Sequence, residues 1–181
     1  MARVPYLDPE DLPAEYREQL YSSADSERTA NVFRALANNP PLLDSFRKYF
    51  GYLWAESGLA ARERELVILS AARESGSTYE WHQHVRLGRA AGLDDDEIRA
   101  IGGGDLDALS DREALCVGYA LATLREEVDD ALFDTAAAEF DDATLVGIAL
   151  LATGYDGLAR VLAALDVELE ERFVGWDLAG G

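Results

Sequence analysis

An all-α fold is predicted by three features of this 181-residue sequence. Apolar residues recur at helical spacing almost throughout, alternating strand patterns are missing, and no Asn-Gly or Asp-Gly pair stands between two alternating runs. The apolar content, 49%, is ample for a packed core and argues against disorder. The length fits one domain of ordinary size or two small ones. Residues 1–181 are therefore read as one helical unit, with a core motif at 60–101, a linker at about 102–109 and a second helical block at 110–167.

The periodicity predicts helices over 10–22, 28–38, 41–56, 60–75, 77–91, 94–101, 111–126, 129–139 and 142–165. Asn39-Pro40-Pro41 breaks the chain and restarts it, since proline is tolerated in a first turn. The helix that follows is rich in aromatics, and Tyr49, Tyr52 and Trp54 are expected in the core. Segment 60–75 opens on Arg62-Glu-Arg-Glu65 and then turns apolar, so it is substantially buried. Asp94 caps the next-but-one helix with Glu97 at its third position, and Leu93 and Ile98 stand at staple positions. Ser110-Asp-Arg-Glu113 is a capping box.

Gly102-Gly103-Gly104 reads as a flexible linker. A phosphate loop needs a preceding strand and usually a Lys, and Asp105 with Asp107 lacks the remaining ligands of a calcium loop. Residues 142–165 are apolar on most of their circumference, so they require cover by the core or by another subunit. Gly147, Gly154 and Gly157 would admit a neighbouring backbone.

Composition narrows the function. The chain carries 35 acidic and 16 basic residues, net −19, which repels phosphate backbones and anionic membrane surfaces. Nucleic-acid and membrane partners are not expected. Fifteen of the basic residues are Arg, with Lys48 the single Lys, a composition suited to a salt-rich cytosol. There is no apolar signal region at the N-terminus, and the longest strongly apolar uncharged stretch, Ala143 to Tyr155, is thirteen residues. A cytoplasmic protein of a salt-adapted organism is expected. Cys116, the single cysteine, forms no internal disulfide and is read as a small core residue.

The charge is uneven. Residues 1–90 hold 13 acids and 11 bases, whereas 91–181 hold 22 and 5. Five arginines lie between Arg62 and Arg89, and the site is sought there. His82 and His84 are two apart, so on a helix they point about 200° away from each other at ~100° per residue. Glu80 and His84, four apart, share a face with Ser77 one turn earlier and Gly88 one turn later, where a gap would admit a ligand. A carboxylate beside an imidazole suits general acid–base work near neutral pH; the plain alternative is a surface pair supporting the helix. Glu65, where a charged turn meets a buried run, needs a partner among Arg62, Arg64 and His84.

These residues carry a resemblance. Arg64-Glu65-Leu66-Val67-Ile68-Leu69, Tyr79-Glu80-Trp81-x-x-His84, Gly88-x-x-Ala91-Gly92-Leu93 and Glu97-Ile98 together resemble the carboxymuconolactone decarboxylase family, which includes the alkylhydroperoxidase D-like proteins. Residues 141–167 are similar to the family's final long helix. The resemblance implies an all-α alkylhydroperoxidase D-like fold, assembled as homo-trimers or hexamers with the site near a subunit interface. In the peroxidase branch a Glu precedes Cys-x-x-Cys and a His. Glu65 and His84 match the Glu and His, but Ser77 and Glu80 stand at the cysteine positions, so dithiol chemistry is not open to this chain.

The Tyr-Glu-Trp-x-x-His form is similar to the decarboxylase-like branch, which implies cofactor-independent proton transfer and decarboxylation on a small carboxylate or lactone. Glu65, Glu80 and His84 are then the catalytic residues, with Ser77, Tyr79, Trp81 and Arg62 binding substrate. Alternatives are a peroxidase-like member with little thiol activity, a non-catalytic oligomeric binding protein on the same scaffold, and a divalent ion held by Glu65, Glu80 and His84.

Overall fold

The run Leu66–Ala72 lies at the centre of the molecule, with Leu66, Val67, Ile68 and Leu69 all fully buried. A helix apolar on every side must be covered on every side. The computed structural model, which describes residues 2–22 and 25–170, shows how. The described helices are α1 (Asn31–Leu36), α2 (Pro40–Glu56), α3 (Ala61–Glu74), α4 (Thr78–Ala90), α5 (Asp95–Gly103), α6 (Asp111–Arg125), α7 (Asp130–Glu139) and α8 (Asp142–Leu165). α3 is the hub: α4, α5, α6 and α8 all pack on it.

Two cores flank α3. One joins Val67, Ile68 and Ala71 to Cys116 of α6, Ala136 of α7 and Ile148, Leu151 and Tyr155 of α8. The other joins Leu66, Leu69 and Ala72 to Trp81 and Val85 of α4, Ile98 and Ile101 of α5 and Val117 of α6. Helices before and after the triple glycine thus share both cores.

The caps follow the sequence. Asn39 Oδ1 accepts from Leu42 N, Ser110 and Glu113 cap each other's backbone, and Asp141 Oδ1 accepts from Thr144 N at 2.8 Å. Asp94 and Glu97 form the box at the start of α5, with Leu93 and Ile98 buried behind it. The triple glycine is not a linker. α5 runs through Gly103, and Gly104 ends it at φ +79°, a conformation that favours glycine. Arg73 Nε donates to the carbonyl of Gly102 at 3.1 Å, and a β-carbon on Gly102 would lie 3.3 Å from the Trp81 ring.

The N-terminal expectation fails. Residues 10–22 form two 3₁₀ segments, Pro9–Asp11 and Ala14–Leu20, rather than an α-helix. Pro13 explains the break, since it disfavours helical backbone at Leu12 and supplies no N–H. A two-stranded antiparallel hairpin follows, β1 (Tyr21–Ser22) with β2 (Asp25–Thr29), where part of a helix at 28–38 was expected. The aromatic expectation for α2 also fails in part, because Tyr49 and Tyr52 are exposed, at 42% and 69%.

α8 is long and apolar enough to cross a membrane by length and composition, yet half of its most apolar window is buried within the fold. Of its glycines, Gly147 is needed for contact: a β-carbon there would fall 2.2 Å from the Ser57 carbonyl oxygen at the end of α2. That approach seats α2 against α8, and the pair forms one wall of the site.

Candidate active site

A short turn after α3, with Gly76 at φ +67°, folds α4 back along it. Glu65 on α3 and His84 on α4 meet across this pairing, with His84 Nδ1 2.7 Å from Glu65 Oε2. Both are buried, at 5% and 1% exposure. With Glu65 as acceptor, Nδ1 carries the imidazole proton and Nε2 is left to act. Nε2 lies 3.7 Å from Glu80 Oε2, one turn earlier on α4.

Aromatic and cationic groups brace this chain of three. Tyr155 of α8 meets the His84 ring edge-on, centroids 5.0 Å apart, and accepts a 2.6 Å hydrogen bond from Trp54 Nε1 of α2. Arg64 lies 4.3 Å above the Trp54 ring, donates to the Trp54 carbonyl at 3.0 Å and approaches Glu65 Oε1 at 3.8 Å. The Glu65 carboxylate thus lies between the Arg64 guanidinium and the imidazole, and its hydrogen bond to Nδ1 orients the ring.

Glu80 and His84 open onto a cavity of about 480 Å³ between α1, α2, α4 and α8. Its walls include Phe33, Phe46, Phe50, Trp54 and Tyr155. Burial of Glu80 beside these rings raises its carboxyl to about 7, against the opposing pull of the His84 charge. A carboxyl balanced near neutrality donates or accepts a proton with little penalty either way.

The same burial links stability to pH. The folded state holds the Glu80 proton more tightly than the unfolded chain, whose ordinary value is 4.5. The contribution is therefore complete below about 4.5 and is lost as pH rises through about 7. In thermal unfolding, Glu80→Gln is expected to gain stability on the wild type as pH moves from 5 to 8. A difference between the two that does not change with pH would refute this.

The structure brings Glu65, Glu80 and His84 together and places Tyr79 on the cavity wall. It does not bring the other three expected substrate contacts there. Ser77 is the N-cap of α4, its hydroxyl accepting from Glu80 N at 3.3 Å, because the first turn of a helix needs an acceptor. Trp81 points away into the second core at 1% exposure. Arg62 is bound to Glu97 and Glu113 and donates to the Gly92 carbonyl at 2.7 Å, tying α3 to α5 and α6. The gap expected beside Gly88 is filled by Leu93 and Leu69, 3.0 and 3.3 Å from where a β-carbon would sit.

No group of three or more His, Cys, Asp or Glu among the described residues is placed to hold a metal ion. Glu65 Oε2 is turned onto His84 Nδ1 instead. Cys116 is buried, and burial pushes its thiol up to about 12, which suppresses the reactive thiolate.

Sequence reasoning missed Arg47, Phe50, Gln83 and Tyr155 as cavity residues. It also missed Glu170, whose carboxylate accepts from Tyr79 Oη at 2.5 Å, Asn31 N at 2.6 Å and Gln83 Nε2 at 2.7 Å. The aromatic run of α2 was the one local signal, and it was read as core.

Comparison with known proteins agrees with this architecture. Residues 40–122 match the model of the carboxymuconolactone decarboxylase family. An uncharacterized peroxidase-related protein of Ralstonia eutropha JMP134, with an alkylhydroperoxidase AhpD core, is 21% identical. The match covers 95% of this chain and 94% of that one at TM-score 0.85. A peroxidase-related protein of Silicibacter sp. TM1040 is 21% identical over 94% of this chain and 91% of its own, at TM-score 0.82. The debrominase Bmp8, in complex with 2,3,4-tribromopyrrole, is 18% identical over 92% and 91%, at TM-score 0.76. No curated protein matches the sequence. The Glu65–His84 pair lies inside the segment, residues 40–122, that matches the carboxymuconolactone decarboxylase family model, and the chain has an alkylhydroperoxidase D-like fold.

Proposed function

We propose that the cavity is an active site for cofactor-independent proton transfer and decarboxylation on a small carboxylated or lactone substrate. One observation carries the reading: His84, held at Nδ1 by Glu65, presents Nε2 beside a Glu80 poised near pH 7 on the cavity wall. In such a step His84 Nε2 takes the O–H proton of the substrate's carboxyl group, and His84 later hands it to Glu80 to restore the starting state. The electron pair of the breaking carbon–carboxylate bond moves onto the adjacent carbon, conjugated to a carbonyl, and carbon dioxide leaves. Protonated Glu80 then returns a proton to that carbon.

Family members include enzymes of several kinds, and the peroxidase-related neighbours make thiol chemistry the competing reading. The residues disfavour it. Ser77 and Glu80 occupy the positions of the two cysteines, and Cys116 is held in the core. The test is a panel of lactones and β-keto acids monitored for carbon dioxide release. Release by the wild type and its loss in His84→Ala support the proposal. A wild type inert across the panel favours a binding protein on the same scaffold, and peroxide turnover with a thiol reductant overturns the thiol argument.

We also propose that the chain assembles with copies of itself through α2 and α8. Tyr52, Val146 and Leu150 are exposed at 69%, 58% and 44%, an apolar surface beside the site wall that a second copy would cover. Light scattering is expected to show an oligomer that Leu150→Asp dissociates; a wild-type monomer refutes it.

A further inference from the structure

The cavity has a cation on its lining, Arg47, that no carboxylate among the described residues pairs with. Arg47 of α2 is half-buried, with its guanidinium carbon 4.1 Å from the Phe33 ring centroid and one terminal nitrogen donating to the Tyr21 carbonyl at 3.1 Å. Among the described residues it makes no ion pair. Acids outnumber bases by 35 to 16 in this chain, and Arg34, Arg62, Arg112, Arg125 and Arg160 all bind carboxylates; Arg86, also on the cavity lining, is exposed. Burial without a partner disfavours the charged form of Arg47. An incoming anion would offset that cost.

The rest of the cavity sets the remainder of the ligand. Its walls are aromatic, with Phe46 and Phe50 stacked at 4.2 Å and Trp54 beyond them on the same helix. Such walls favour a flat apolar body over a second charge. Length follows from the helix. Arg47 and Trp54 are seven residues apart, about 10 Å of rise, and the Trp54 ring is 6.1 Å from that of His84. The anionic end and the proton-transfer end are therefore about two turns apart.

We infer that the cavity takes a planar aromatic monocarboxylate, its carboxylate held by Arg47, its ring between the aromatic walls and its far end at His84. Bound this way the ligand undergoes proton transfer at its far end and keeps the carboxylate that Arg47 holds, so the inference rests only on the proton-transfer part of the acid–base reading; the binding mode stands on its own.

Calorimetric titration with trans-cinnamate, its neutral analogue cinnamamide, and succinate tests it. The wild type is expected to bind cinnamate at least about tenfold more tightly than cinnamamide, as a charge-assisted pair implies, and to leave succinate unbound. Arg47→Met should reduce cinnamate to the level of cinnamamide while cinnamamide itself is unchanged. Should Arg47→Met lose both, Arg47→Lys decides: retained cinnamate binding supports the assignment, and its loss overturns it. Equal binding of acid and amide by the wild type, no binding of cinnamate, or full cinnamate affinity in Arg47→Met overturns it as well. His84→Ala should still bind cinnamate, so a failure of the acid–base reading and a failure of the Arg47 subsite are told apart.

Discussion

His84→Ala is expected to lower turnover of any substrate processed in the cavity by about 10²–10⁴-fold, the range for loss of a positioned acid–base group. The change also leaves Glu65, at 1% exposure, without its 2.7 Å partner, so some stability will be lost with it. His84→Gln separates the two effects. Its amide can still donate to Glu65 but cannot cycle a proton, so it should fold like the wild type and remain inactive. His82 does not line the cavity, and His82→Ala should keep full activity. Full activity in His84→Gln, or the larger loss in His82→Ala, would refute the role given to His84.

Glu65→Gln extends the argument. The Gln side chain can retain the contact with Nδ1 but carries no charge to stabilise imidazolium. Turnover should fall and the pH–rate profile should shift, whereas a residue with only a packing role would leave that profile where it was.

Trp81→Ala is expected to be the most destabilising change near the site, by about 3–5 kcal/mol, the usual range for truncating a buried Trp. Trp81 is 1% exposed among Leu66, Leu69, Val85, Ile98 and Ile101, so the cavity left behind would be large and enclosed. For a chain of this length the melting temperature should fall on the order of 10 °C. Trp81→Phe should cost far less, because the indole nitrogen has no hydrogen-bond partner among the described residues. Unchanged stability in Trp81→Ala with weakened substrate binding would instead place this side chain at the ligand.

The contrast between Trp81 and His84 shows how much of the site was readable in one dimension. Glu80 and His84 share a helix, and four-residue spacing alone put them on one face. Glu65 needed one more step, the recognition that a carboxylate at the edge of a buried run requires a partner. Arg62, expected at the substrate, went elsewhere for a reason the chain order does not show. Arg62 and Arg47 look alike along the chain, and only packing shows that Glu97 and Glu113 reach Arg62 while no carboxylate among the described residues reaches Arg47. Gly102–Gly104 misled in a similar way, because a helix terminus braced by Arg73 and a free linker share one composition.

The sequence by itself determined the all-helical class, the caps at Asn39, Asp94 and Ser110, the lack of a cysteine pair, and the shared helix face of Glu80 and His84. Each of these depends on residues within a few positions of one another, or on a residue type that is present or missing. Tertiary structure alone decided the cavity, its aromatic walls, the placing of Arg47 on its lining and the burial that raises Glu80 to about 7. Those properties arise where α1, α2, α4 and α8 converge. Desolvation and electrostatic pairing depend on what lies within a few ångströms in space, whatever its distance along the chain.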